Sequence, residues 1–168
     1  TKGKVLYIQV NTPIQEQQAR LRATDIEAAD QIAFLSLEHG MLDSEHLVPA
    51  RDPGLTEAKR FAPDVVIVDT LRDVHTMEEI DSATVTKVYG AWRELFPETT
   101  LVFVHHDRKL PPPSAGKNGT PERYWLESAR GSSTWLGNAD SGLHLTDAKG
   151  SLTLSFSKTR TCAPIAPM

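Results

Sequence analysis

Four groups of residues are of the kinds that hold charged ligands or move protons. Asp69 stands at the end of an unbroken apolar run, Val65-Val66-Ile67-Val68, which follows a break at Pro63-Asp64. His105-His106 close a second apolar run, Thr100 to Val104. Arg108, Lys109, Lys117, Arg123 and Arg130 are spread through a loop-like stretch, opposed by Asp107, Glu122 and Glu127. Lys158 and Arg160 alternate near the end of the chain, so on a strand they share one face and can address one anion. The adjacent histidines would point to opposite faces of a strand. No His or Cys at metal-ligand spacing joins them, so a structural metal is not expected. No nucleophile–base pair of a small-molecule α/β enzyme is visible.

These residues need a scaffold, and the apolar runs supply it. Four β-branched residues in a row, apolar on both faces, suit a strand buried in a parallel sheet. The carboxyl edge of such a sheet is where open α/β folds bind ligands. Between the two runs, Ser82 is placed to cap a helix reaching about Phe96. Val85, Val88, Tyr89, Trp92, Leu95 and Phe96 form its buried face. This is a βαβ unit with polar residues at both carboxyl ends. Upstream, Lys4 to Val10 reads as a strand and Ile14 to Arg22 as a helix behind Pro13. A further helix is expected from Thr24 or Asp25 through about Leu37, with Ile26, Ala29, Ala33 and Leu37 on one face. Gly40 ends it. Leu47-Val48 reads as a short strand and Leu55 to Phe61 as a short helix.

Thr70 to Asp81 reads as an irregular polar loop. Residues 105–123, with three consecutive prolines, read as a long mobile loop of the length that is usually functional or disordered. Tyr124 to about Leu136 reads as partly helical. Leu143-His144-Leu145 and Leu152 to Phe156 alternate by two around Asp147-Ala148-Lys149-Gly150, which predicts a hairpin. Lys158 to Met168 reads as irregular.

The 168 residues suit one domain. No apolar run approaches the roughly 20 residues that span a bilayer, so no membrane segment is expected. No signal peptide is visible, and the single Cys162 fits a reducing compartment, which together give a cytoplasmic expectation. The net charge of −4 removes bulk attraction to nucleic acid, leaving only local basic patches.

From Lys4 to about Pro164 the sequence resembles the RecA-like ATPase cores. It is most similar to the RepA-type hexameric replicative helicases and more distantly to the DnaB family. Residues 5–13, Val-Leu-Tyr-Ile-Gln-Val-Asn-Thr-Pro, resemble the family's second strand and its turn. Val65 to His75 resembles the Walker B strand and following loop, and Phe103 to Lys109 the sensor strand. Ala129 to Ser133, with Ser157-Lys158-Thr159-Arg160, resembles the DNA-side loop and the Lys-x-Arg element. The resemblance implies an α/β RecA-like fold over 1–168, a mostly parallel sheet flanked by helices with a carboxyl-terminal hairpin. It implies ATP and Mg²⁺ as cofactors, with Asp69 as the metal-holding Walker B carboxylate and His106 as γ-phosphate sensor. Arg20, Lys158 and Arg160 would act across a subunit interface of a homo-oligomeric ring or filament. Arg108, Lys109, Lys117 and Arg130 would contact single-stranded DNA. The plain alternatives are a capping role for Asp69, a solvated loop for the basic stretch and an exposed strand end for Lys158 and Arg160.

The match departs from the family at two places. No Gly-x-x-x-x-Gly-Lys-Ser/Thr motif occurs within the 168 residues. The family carries it just upstream of the strand where this chain starts, so the domain is expected to lack its P-loop strand and helix. At position 11 the family has the glutamate that activates water, whereas this chain has Asn11. An amide can orient water but cannot take its proton. Asp73 is a weak substitute. At Asp140 some RepA-type relatives carry arginine. The reading is a DNA-handling ATPase core, with a non-hydrolysing DNA-binding or assembly module as the alternative.

Overall fold

The computed structural model describes residues 3–10, 12–23, 31–37, 53–75, 81–106, 133–148 and 150–160. The chain divides into two compact units, Thr1–Glu78 with Lys87–His105, and Glu79–Thr86 with His106–Met168.

The first unit is built on four parallel strands: β1 (Val5–Val10), β2 (Ile32–Leu37), β3 (Val65–Asp69) and β4 (Thr100–Phe103). Their order in the sheet is β2-β1-β3-β4. The register pairs Val5 with Ile32 and Val65, and Val65 with Thr100. The expected mixed α/β fold with a parallel sheet is therefore present. Helix α1 (Ile14–Ala23) follows β1, α2 (Pro53–Phe61) precedes β3, and α3 (Ser82–Leu95) links β3 to β4. Helix α3 begins in the second unit and continues from Lys87 in the first.

Alternation along the strands gives the sheet two unlike faces. Leu6, Ile8, Val66 and Val68 lie on one face and are at most 1 % exposed. Phe103, the register partner of Val68, shares that face. There the Tyr89 and Trp92 rings of α3 meet it edge-on, with centroids 5.1 and 6.2 Å away. The other face carries Tyr7, Gln9, Phe34, Ser36, Ile67 and Asp69. Helix α1 reaches this face through a hydrogen bond from Gln17 Nε2 to Gln9 Oε1. Helices therefore pack on both faces of the sheet.

At the amino edge, Asp64 ties three strands together. Its carboxylate accepts from Lys4 N at 2.7 Å, its amide donates to Lys4 O and its carbonyl accepts from Thr100 N. Helix α2 closes at Ala62, whose N–H donates to Lys59 O and whose φ is 52°, before Pro63.

The second unit contains a short helix, α4 (Thr134–Asn138), and an antiparallel hairpin, β5 (Ser141–Ala148) with β6 (Ser151–Thr159). Gly150 takes a left-handed φ of 85° at the turn, and its N–H donates to Asp147 Oδ1 at 2.9 Å. A bulge falls between Gly142 and Leu143. The expected hairpin is present and longer than the alternation indicated, since β6 runs to Thr159.

Four expectations need correction. Ile32–Leu37 is strand β2, not the end of a helix reaching Leu37; its pairing with β1 along its whole length outweighs the 3.6-residue pattern. The stretch after Asp69 is not wholly irregular or polar in its packing. Leu71–Val74 forms a 3₁₀ turn that buries Leu71 and Val74. The cap of α3 is Asp81 rather than Ser82: its carboxylate accepts from Ala83 N and Thr84 N, each at 3.1 Å, and from the Thr84 hydroxyl. Extended pairing through Thr159 replaces the irregular backbone expected from Lys158. The expected strand at Leu47-Val48 and the start of the helix at Thr24 or Asp25 lie outside the described residues. Among the described residues no helix is long and apolar enough to cross a membrane.

Candidate functional site

The strand order creates one topological switch point. From β1 the chain leaves toward β2 on one side, whereas from β3 it leaves toward β4 on the other. The helices that follow β1 and β3 pack on opposite faces, so they part at the carboxyl ends of these two strands. Open α/β sheets bind their ligands in the crevice at such a point.

Asp69 ends β3 at this crevice, and its register partner is Gln9 on β1. Tyr7, two residues before Gln9, lies on the same face and its hydroxyl donates to Asp69 Oδ2. The Tyr7 ring packs on Phe34 of β2, with centroids 5.7 Å apart. Burial pushes the Tyr7 phenol up to about 12, aided by its bond to Asp69 and the aspartate charge, while the Arg20 charge acts the other way. The phenol is therefore protonated, and a donor, throughout the neutral range. Gln9 and Gln17 are buried, and Gln17 Oε1 has no hydrogen-bond partner among the described residues. The Asp69–Thr70 peptide is cis. Just beyond it, the Thr70 hydroxyl donates to Asp73 Oδ2 at 2.6 Å, and Leu71 N donates to Val104 O, joining the loop to the end of β4.

The other expected site residues fall as follows. His105 follows β4 in the first unit, while exposed His106 belongs to the second. Arg20 is exposed on α1, where its guanidinium bonds Glu16 one turn earlier at 2.6 Å. Lys158 donates to the carbonyls of Leu136, Gly137 and Ala139 at 2.6–2.9 Å, matching its three N–H groups. Burial and then the Arg160 charge lower its pKa, while Asp140 opposes them. Arg160 pairs with Asp140 at 2.8 Å and also donates to Gly137 O. Both cations thus hold the carboxyl end of α4 and the segment before β5 within this chain. Asn11, Arg108, Lys109, Lys117 and Arg130 lie outside the described residues.

The sequence reading missed Tyr7, Gln9 and Gln17. Gln9 had a signal: it is a long polar side chain inside an otherwise apolar strand, Val5–Val10. Tyr7 had none, because tyrosine is common in half-buried strands.

A lone carboxylate suits Mg²⁺, which keeps most of its waters and is held by one or two carboxylates plus the phosphates of a substrate. It does not suit a metal caged by protein alone. Among the described residues no group of three or more His, Cys, Asp or Glu side chains converges. Asp69, with one oxygen engaged by Tyr7, fits the first case.

No curated protein matches the chain. A family model for the AAA domain matches residues 1–111, a span containing all four parallel strands and the carboxyl ends of β1 and β3. The chain therefore belongs to the AAA domain family, an ATPase-like family whose core binds nucleotide.

Proposed function

We propose that this chain is a single RecA-like ATPase domain of the RepA type, acting on single-stranded DNA as a homo-oligomeric ring or filament with ATP at its subunit interfaces. The observation that carries this reading is Asp69 at the switch point of a parallel sheet, with its carboxylate engaged by Tyr7. In this reading Asp69 would hold Mg²⁺ through water, as a Walker B carboxylate does. The ion, when bound, would neutralise charge on the phosphate oxygens. His106 senses the γ-phosphate. Arg20, Lys158 and Arg160 act on a neighbour's nucleotide. For this, Lys158 exchanges its three carbonyl bonds, and Arg160 its bond to Asp140, for phosphate. Arg108, Lys109, Lys117 and Arg130 contact the DNA backbone.

A second reading is favoured by Asn11: a non-hydrolysing relative that binds DNA or supports assembly. Asn11→Glu in the full-length protein separates the two. If Asn11 occupies the place of the water-activating base, a carboxylate there raises ATP turnover by up to about 10²–10⁴-fold. Turnover that stays at background in both forms supports the non-hydrolysing module. For the DNA contacts, Arg108→Ala with Lys109→Ala should weaken single-strand binding. It should also lower the salt slope by roughly 0.7 per lost phosphate contact. Unchanged binding at every salt concentration would return this stretch to a solvated loop.

A further inference from the structure

We propose that Tyr7 is a positioning residue for Asp69, holding one carboxylate oxygen so that the other faces the metal-bound water of a nucleotide complex. The inference rests on the assignment of Asp69 as the metal-holding carboxylate and adds a residue to it.

The geometry gives three reasons. First, Asp69 is the last residue of β3, where the strand's own pairing ends. Among the described residues, the Tyr7 hydroxyl is the one donor bonded to it. Second, Tyr7 is itself well placed to be rigid. It is in the middle of β1, paired on one side with Phe34 and on the other with Ile67, and its ring packs on Phe34. Third, the bond runs diagonally, from Tyr7 to a residue two positions beyond its own partner Ile67. That length lets the phenol reach the rim from inside the sheet. A shorter residue at position 7 could not make this contact. Donors behind a metal-holding carboxylate set its orientation, and losing one typically weakens metal affinity or activity by about 10–100-fold.

The alternative is that the bond only satisfies two polar groups in a half-buried place. Tyr7→Phe distinguishes these roles, because it removes one oxygen and keeps the ring against Phe34. The measurement is the binding of Mn²⁺ to the full-length protein with a non-hydrolysable ATP analogue, read by electron paramagnetic resonance without turnover. The expected result is an about 10–100-fold weaker Mn²⁺ affinity in Tyr7→Phe, a loss that persists well below its melting temperature, where the variant is fully folded. Tyr7→Leu should lose the same affinity and also melt lower, since it removes the contact with Phe34. Asp69→Asn should lose specific Mn²⁺ binding. Normal affinity in Tyr7→Phe, with binding lost in Asp69→Asn, overturns the role of Tyr7 and leaves that of Asp69 standing. Normal affinity in Asp69→Asn overturns the assignment of Asp69, and the role of Tyr7 with it.

Discussion

Arg160 is bonded to Asp140 twice: its amide donates to the Asp140 carbonyl at 3.0 Å, and its guanidinium to Oδ1 at 2.8 Å. The ion pair is open to water, with the side chains 52 % and 60 % exposed. Lys158 is different, since its ammonium fills three carbonyls around the end of α4.

Removing the Asp140 charge should therefore cost little stability. Asp140→Asn is expected to lower unfolding free energy by no more than about 1 kcal/mol, as exposed pairs do. Lys158→Met leaves three carbonyls without their donor and should cost more, about 1–3 kcal/mol. Urea unfolding of the two variants checks the order. A larger loss in Asp140→Asn would contradict it.

Ala62 has φ 52°, in the region where a Cβ crowds the backbone and glycine does not. Ala62→Gly removes that crowding but adds freedom to the unfolded chain. The expected net effect is a gain of up to about 1 kcal/mol in unfolding free energy. A destabilised variant would show that the left-handed turn is not held in solution.

The phenol of Tyr7 should titrate at about 12, against an ordinary value of 10.0. Its folded pKa is raised, so the stabilisation it brings is complete below about pH 10 and is lost as pH rises toward 12. Phenolate absorbance of the folded protein should show this tyrosine titrating high. Asp69→Asn should bring it down, because the aspartate bond and charge contribute to the shift. A Tyr7 that titrates at about 10 in the parent protein, and is not moved by Asp69→Asn, would contradict both its burial and its bond to Asp69.

Much of the sheet could be read from the chain because its strands announce themselves. Val65 to Val68 is too short and too β-branched for a helix, and Asp69 follows it directly. The face of α3 was legible because Val88, Trp92 and Phe96 repeat at helical spacing, and all three are buried. Strand β2 was not legible. Ile-Ala-Phe-Leu-Ser-Leu has no alternation by two, and a short apolar run of this kind fits either element until its partner is known. That partner is β1, through six register pairs. The cap of α3 was displaced by one residue because Asp81 and Ser82 are both good caps, and only the structure shows which oxygen takes the amides. The place of Asp69 at the carboxyl end of a buried strand was legible from the run before it. Tyr7 was not, because the contact that gives it meaning joins residues 62 apart in sequence.

The central claim is that Asp69, at the rim between β1 and β3, serves the terminal phosphates of a bound nucleotide. The measurement that tests it most directly is DNA-stimulated ATP turnover by the full-length protein, compared with Asp69→Ala at equal protein and Mg²⁺. The account predicts a fall of at least about a hundredfold, as expected when several kcal/mol of metal-derived stabilisation is lost. Turnover unchanged by Asp69→Ala would contradict it.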